Sequence, residues 1–389
     1  MAATQVIQSS HPLRAAAFEP TSGRFFAVGS NDRSLTVYAT PTDEELAVAA
    51  PGDGDGWYGA VVAARPLHCF RRHHSGSIFC AAWGGGGRLV ATGSNDRSVR
   101  IATIADLAAD SDMAEGLQAE HGGRHSKDWI DLAGHTGTVR SVAFSPTASK
   151  AVLLSAGAGD FVCRLWDPVG KPDGPIAKLA GHTAVVFASA FLPDFGEGGH
   201  LMATGGSDAS LRLWDARMAG GGTSGNAVLN ISTGGRPVLS LASRPGAAAG
   251  QVVTTHEDGG CALWDFAMVS GGGGSGGGGS ASGIRCRPLQ QWCDHADECR
   301  AASFSPCGDW LLTAAFDGKA CVYRGRTRIA TAAVPAALTF RRVASMRACS
   351  GRILEAVWHP RRPAFLTTSS DGGAVFWAGA VAAAAAPAS

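Results

Sequence analysis

Charge is scarce in these 389 residues: 17% are Asp, Glu, Lys or Arg, and 33 basic against 32 acidic side chains leave a net charge of +1. Such a chain has no strong basic field with which to hold nucleic acid by its phosphates. Long apolar runs are also missing. The most apolar stretch, 375–386, is short and alanine-rich, whereas a membrane-crossing helix needs roughly 20 apolar residues. The opening MAATQVIQSSHP has no basic segment followed by an apolar one, so no secretory signal is expected. Ten cysteines carry neither a Cys-x₂-Cys pair nor a regular framework. That usage points to reduced thiols and a cytoplasmic location.

What the chain does have is a repeat. GHTGTVRSVAFSP at 134–146 leads to a strand ending in the turn Asp160 and then to VCRLWD ending at Asp167. GHT at 181–183, LMATGGSD ending at Asp208 and LRLWD ending at Asp215 repeat the plan. In the same register stand seven turn aspartates: Asp32, Asp96, Asp160, Asp208, Asp258, Asp317 and Asp371. Six residues after each come Tyr38, Ala102, Trp166, Trp214, Trp264, Tyr323 and Trp377. The preceding histidine position holds His74, His135, His182 and His295 in four copies, and Ser9, Gly234 and Cys349 in the others.

The pattern is similar to the WD repeat, and it predicts an all-β fold: a seven-bladed WD40 β-propeller. Each blade would be held by a buried polar network in which an imidazole lies between the turn Asp and a second-strand hydroxyl, and the hydroxyl meets the indole N–H. The clearest sets are His135, Ser155, Asp160 and Trp166, and His182, Thr204, Asp208 and Trp214. The run Val139, Val142, Phe144 is strand-like. After Trp377 comes AGAVAAAAAPAS, poor in strand formers. The expectation is therefore that 4–7 supplies the last strand of the seventh blade and closes the ring.

One domain is expected over 1–379, with a disordered tail at 380–389 and long insertions at about 39–65, 102–127, 216–227 and 266–287. Each insertion follows a third strand and so belongs to the bottom face. The tract SGGGGSGGGGS at 270–280 is a flexible coil by composition.

Candidate chemistry is thin. The His, Ser and Asp sets recur from blade to blade, whereas catalysis needs one unique constellation, so no catalytic residue and no enzyme activity are expected. Cys286, Cys293, His295 and Cys299 lack zinc-ligand spacing; no metal and no cofactor are assigned. GGGGR at 84–88 lacks the Lys-Ser or Lys-Thr of a phosphate loop and reads as a hairpin. Arg324, Arg326, Arg328, Arg341, Arg342, Arg361 and Arg362 crowd the last two repeats.

The top face follows from the register. Five residues after the histidine position stand Arg14, Phe79, Arg140, Phe187, Leu239, Arg300 and Leu354, and Phe316 directly precedes a turn Asp. Arginine and aromatic residues at such a rim are the anchors protein interfaces use. Arg14, Phe79, Arg140, Phe187, Arg300 and Phe316 are the candidate partner-binding residues, with the arginines expected to be largely exposed.

HPLRAAAFEP with FFAVGSNDRSLTVY, LAGHTGTVRSV with SAGAGD, and GRILEAVWHPRRPAFLTTSSDGGAVFW resemble the C-terminal propeller of the nemitin (WD-repeat protein 47) family. The resemblance implies a scaffold that binds other proteins, tubulin or axonemal proteins among them, at the cytoskeleton or cilium. It implies no nucleic acid, membrane or small-molecule substrate. No segment here matches that family's helical LisH and CTLH region. The alternative is a substrate receptor of a cullin–RING ubiquitin ligase, because Trp214–Arg217 fits the WDxR box of such receptors.

Overall fold

The computed structural model describes all residues except 1, 49, 52–59, 105–128, 147–150, 172, 194–199, 220–223, 226, 247–249, 267–286, 329–336 and 379–389. The glycine-serine tract, the expected tail and most of the insertions at 102–127 and 266–287 lie outside the described residues, as do parts of those at 39–65 and 216–227.

Every third strand begins just past a turn aspartate and pairs antiparallel with the strand before it, so each repeat becomes a hairpin with flanking strands. The result is seven separate sheets. Blade one comprises Leu13–Phe18, Phe25–Ser30, Leu35–Ala39 and Pro66–Phe70. Blade four comprises Val186–Phe191, Leu201–Gly206, Ser210–Asp215 and Leu229–Ser232. The others follow the same order, with first strands Ile78–Gly84, Val139–Phe144, Val238–Ser243, Cys299–Phe304 and Ile353–Trp358. Each insertion falls between a third and a fourth strand. Between Gly84 and Leu89 the chain reverses through Gly85, Gly86 and Gly87, with φ of 57, 66 and 85°. Only glycine takes three such values in succession without strain, so the 84–88 run is a hairpin.

Ring closure follows the expectation. Ala2–Gln8 pairs antiparallel with Gly373–Ala378 in blade seven, with Ala3 opposite Trp377 and Thr4 opposite Phe376. Sequence repeats are thus offset by one strand from blades, and the offset joins the two ends of the chain.

The core is distributed between blades. Trp214, fully buried, packs with Met202 of its own blade against Leu154, Cys163 and Leu179 of blade three; Trp166 does the same against Ile101 and Leu132 of blade two. A buried indole contributes on the order of 4 kcal/mol by area, an upper estimate. Close approach needs small residues at the contact: a Cβ on Gly205 would lie 2.4 Å from Val238 Cγ1 of blade five.

All seven first strands share one irregularity. The register slips at Arg14, Phe79, Arg140, Phe187, Leu239, Arg300 and Leu354, each a single unpaired residue. A bulge re-aims the side chain it carries. It also explains why Val139 and Val142, both buried, are three residues apart rather than two.

Candidate binding face at the mouth of the propeller axis

Seven bulges at one register place their side chains around the axis, on the face that carries the aspartate turns. Blade by blade the ring reads Arg14, Phe79, Arg140, Phe187, Leu239, Arg300, Leu354. Guanidinium and phenyl groups alternate and stack. Arg14 lies 4.8 Å and Arg140 4.4 Å from the Phe79 ring centre. Arg140 also reaches Phe187 at 5.8 Å, and Arg300 reaches the same ring at 5.5 Å. Blades four and six are not neighbours, so Arg300 extends over Leu239 across the mouth. Its other side rests on Phe316 at 5.0 Å, and Arg352 covers Phe316 at 4.8 Å. The six sequence-chosen residues therefore come together around one opening.

The arginines are half-buried rather than largely exposed, because each lies over a phenyl ring, a contact worth about 0.5–2 kcal/mol. Arg14 donates to Asn31 Oδ1 at 2.5 Å and Arg300 is paired with Glu298 at 2.6 Å. Arg140 Nε has no hydrogen-bond partner. Burial first, then the nearby guanidinium of Arg300, lowers the pKa of Arg14 and of Arg140. Among the described residues, three cations are thus held together with one carboxylate, Glu298, paired to them.

Below the ring a cavity of about 280 Å³ runs along the axis, lined by Ser141, Ser189, Ser240 and Glu355. Burial lifts the Glu355 carboxyl to about 7, against one hydrogen bond from the Ala356 N–H at 3.0 Å. Register reasoning overlooked Glu355 although a signal existed: the residue after each bulge is Ala15, Cys80, Ser141, Ala188, Ser240 or Ala301 in the other blades. Arg352, in a loop, carried no such signal.

The blade networks show what these residue types do elsewhere. In blade four His182 Nδ1 meets Asp208 at 2.9 Å, Nε2 meets Thr204 Oγ1 at 2.7 Å, and Trp214 Nε1 donates to that oxygen at 2.8 Å. In blade three His135 Nε2 meets Ser155 Oγ at 2.7 Å and Trp166 Nε1 donates to it at 2.8 Å, but Asp160 stands 3.9 Å from Nδ1. The extra residue in the 155–160 segment displaces the aspartate, and Arg164 enters, donating to His135 Nδ1 at 2.9 Å and pairing with Asp160. Two further histidines were not anticipated. His73 Nε2 lies 2.9 Å from Thr92 Oγ1 in the blade whose third strand has Ala102 for an indole. His256 lies 3.1 Å from Thr254 Oγ1 in the blade with Gly234 at the histidine position.

Among the described residues no group of three or more His, Cys, Asp or Glu is placed to hold a metal; His295 bonds instead to Thr313 at 2.8 Å and faces Asp317 at 3.3 Å. No described helix is long and apolar enough to cross a membrane. The late arginines split into two groups. Arg324, Arg326, Arg328, Arg341 and Arg342 sit on the paired strands Lys319–Arg328 and Ala337–Arg347, while Arg361 and Arg362 reach Thr21 and Asp43 in the connections of blade one at 2.5 and 3.0 Å. Arg217 of the Trp214–Arg217 box is bonded to Asp215 at 2.7 Å.

A closed ring of seven antiparallel blades is a β-propeller. Four segments, 64–101, 128–167, 173–215 and 286–324, match the family described as WD domain, G-beta repeat, so the chain carries WD40 repeats in a seven-bladed propeller. It is 30% identical over 144 residues to the probable cytosolic iron-sulfur protein assembly protein 1 of Vanderwaltozyma polyspora, covering 33% of this chain and 37% of that protein. It is 27% identical over 186 residues to the nuclear distribution protein PAC1 of Gibberella zeae, 46% of this chain and 33% of that one. To human striatin-4 it is 24% identical over 269 residues, 66% and 30% of the two chains. The matches span well under half the length of these relatives.

Proposed function

We propose that this propeller is a non-catalytic adaptor whose axial ring grips an acidic segment of a protein partner, and that it works in the cytoplasm on microtubules or in cilia. The observation that carries the binding mode is the ring itself: Arg14, Arg140 and Arg300 sandwiched among Phe79, Phe187 and Phe316. Stacking fixes the guanidinium planes in advance, so little side-chain entropy remains to be lost on binding. Partly desolvated cations that repel one another are relieved by an incoming carboxylate. The resemblance to the nemitin family supports the microtubule and cilium setting, and the partner would be tubulin or an axonemal protein. The cullin–RING alternative rests on the Trp214–Arg217 box alone, whose arginine is bonded to Asp215.

The test compares wild type with Arg14→Ala/Arg140→Ala/Arg300→Ala in co-sedimentation with microtubules and in capture of axonemal proteins. Wild type should bind, and the triple variant should lose more than about tenfold in affinity while remaining folded, at a cost of about 0.5–1 kcal/mol for each lost stack. A folded triple variant that binds at wild-type affinity would make the arginines mere solvated surface and move attention to the bottom-face insertions. Capture of acidic proteins without any microtubule binding would retain the ring and remove the microtubule role.

A further inference from the structure

In six blades a side chain fills the space between the turn aspartate, the second strand and the third strand. It is an imidazole in blades two to six, where His74, His135, His182, His256 and His295 are all buried, and in blade seven the register gives Cys349, 1% exposed. Blade one keeps its turn aspartate, Asp32, and an aromatic on its third strand but departs at the other two positions. Ser9 replaces the imidazole, Val28 stands where the other blades have Ser or Thr, and Tyr38 is stacked on Phe26 at 5.4 Å. No described side chain occupies the space, and a cavity of about 440 Å³ opens there.

Its lining is polar and cationic. Ser34, Thr36 and Tyr38 contribute hydroxyls, and Arg33, Arg71 and Arg72 contribute three exposed guanidinium groups that make no ion pair with any described residue. The one carboxylate in the lining, Asp32, is already engaged by the Ser34 N–H at 2.8 Å and hydroxyl at 2.5 Å. Cations therefore outnumber the available anion three to one around a volume suited to a small ligand or one large side chain. Guanidinium groups pair in a fork with the oxygens of a phosphoryl group, which near pH 7 carries close to two negative charges and three acceptors.

We propose that the space vacated in blade one is a binding site for a phosphoryl group, held by Arg33, Arg71 and Arg72. Free phosphate and a phosphorylated side chain share that chemistry. The site is distinct from the axial ring and stands or falls separately from it.

The experiment follows the melting temperature of the full chain as sodium phosphate replaces sodium chloride at constant ionic strength, then repeats the titration with capped phosphoserine and capped glutamate. Phosphate or phosphoserine should raise the melting temperature of wild type, and of Arg140→Ala as a control for the axial ring. Two variants should lose the shift. Arg71→Ala/Arg72→Ala removes surface cations, and Ser9→His/Val28→Thr refills the space as the other blades do. Should the refilled variant fail to fold, the arginine variant still decides. A larger effect of phosphoserine identifies a phosphorylated side chain, and equal effects identify the free anion. A shift that survives in both site variants, no shift with either phosphoryl compound, or an equal shift with capped glutamate overturns the proposal.

Discussion

Thr204 shows how much one hydroxyl can carry. Beside the Asp208 carboxylate, His182 Nδ1 bears the proton, so Nε2 accepts from the Thr204 hydroxyl, whose oxygen in turn accepts from Trp214 Nε1. In blade three the tautomer reverses, because Arg164 donates to His135 Nδ1 and leaves Nε2 to donate to Ser155. Burial opposes ionisation of Asp208, but the bonds from His182 and Ser210 overcome it and hold the carboxyl far below its ordinary range. Thr204→Val keeps the shape and strands two buried ring nitrogens. It should cost about 2–4 kcal/mol and lower the melting temperature by several degrees. An unchanged melting temperature in calorimetry would mean the network contributes nothing to blade four.

At the scale of strands, the closing pair is the most exposed to test. Ala3, Thr4 and Val6 are 9, 3 and 2% exposed, and without Ala2–Gln8 the edge Gly373–Ala378 would offer a row of unpaired backbone groups. Removing residues 2–8 should destabilise the protein by more than about 3 kcal/mol and promote association, read by melting temperature and light scattering. A peptide of residues 1–12 should reverse both. A truncated chain that stays monomeric with a native melting temperature would show that this strand does not hold the ring shut. The closure was legible because the chain ends in residues unfit for a strand and begins with ones that suit it. The bulges were not, since a one-residue slip leaves no mark in composition; only the odd spacing of Val139 and Val142 hints at it. The ring's membership could be read by counting from the histidine positions. Its stacking could not, because Arg300 crosses Leu239 to reach Phe187, and no repeat pattern encodes a contact between non-adjacent blades. His73 and His256 escaped notice for a related reason: they supply a network group from a neighbouring position, outside the register.

For the molecule as a whole, pH sums contributions of opposite sign. Burial, then the charges of His74 and Arg100, pushes His73 down to about 3, and burial with Arg362 pushes His359 to about 4, both from an ordinary 6.5. The unfolded chain therefore binds protons that the folded chain refuses, and stability should rise as pH increases from about 4 to 6.5. Glu355 works against this trend. Its folded pKa of about 7 lies above the ordinary 4.5, so the folded chain holds this proton more tightly and stability falls between those two values. Glu355→Gln isolates the effect, because the amide stays neutral throughout. The variant should melt with wild type near pH 3, where the Glu355 carboxyl is protonated in folded and unfolded chain alike, and above it at pH 8 by an amount equivalent to about 1–3 kcal/mol. A difference of the same size at both pH values would show that the Glu355 carboxyl is solvated normally in the axial cavity.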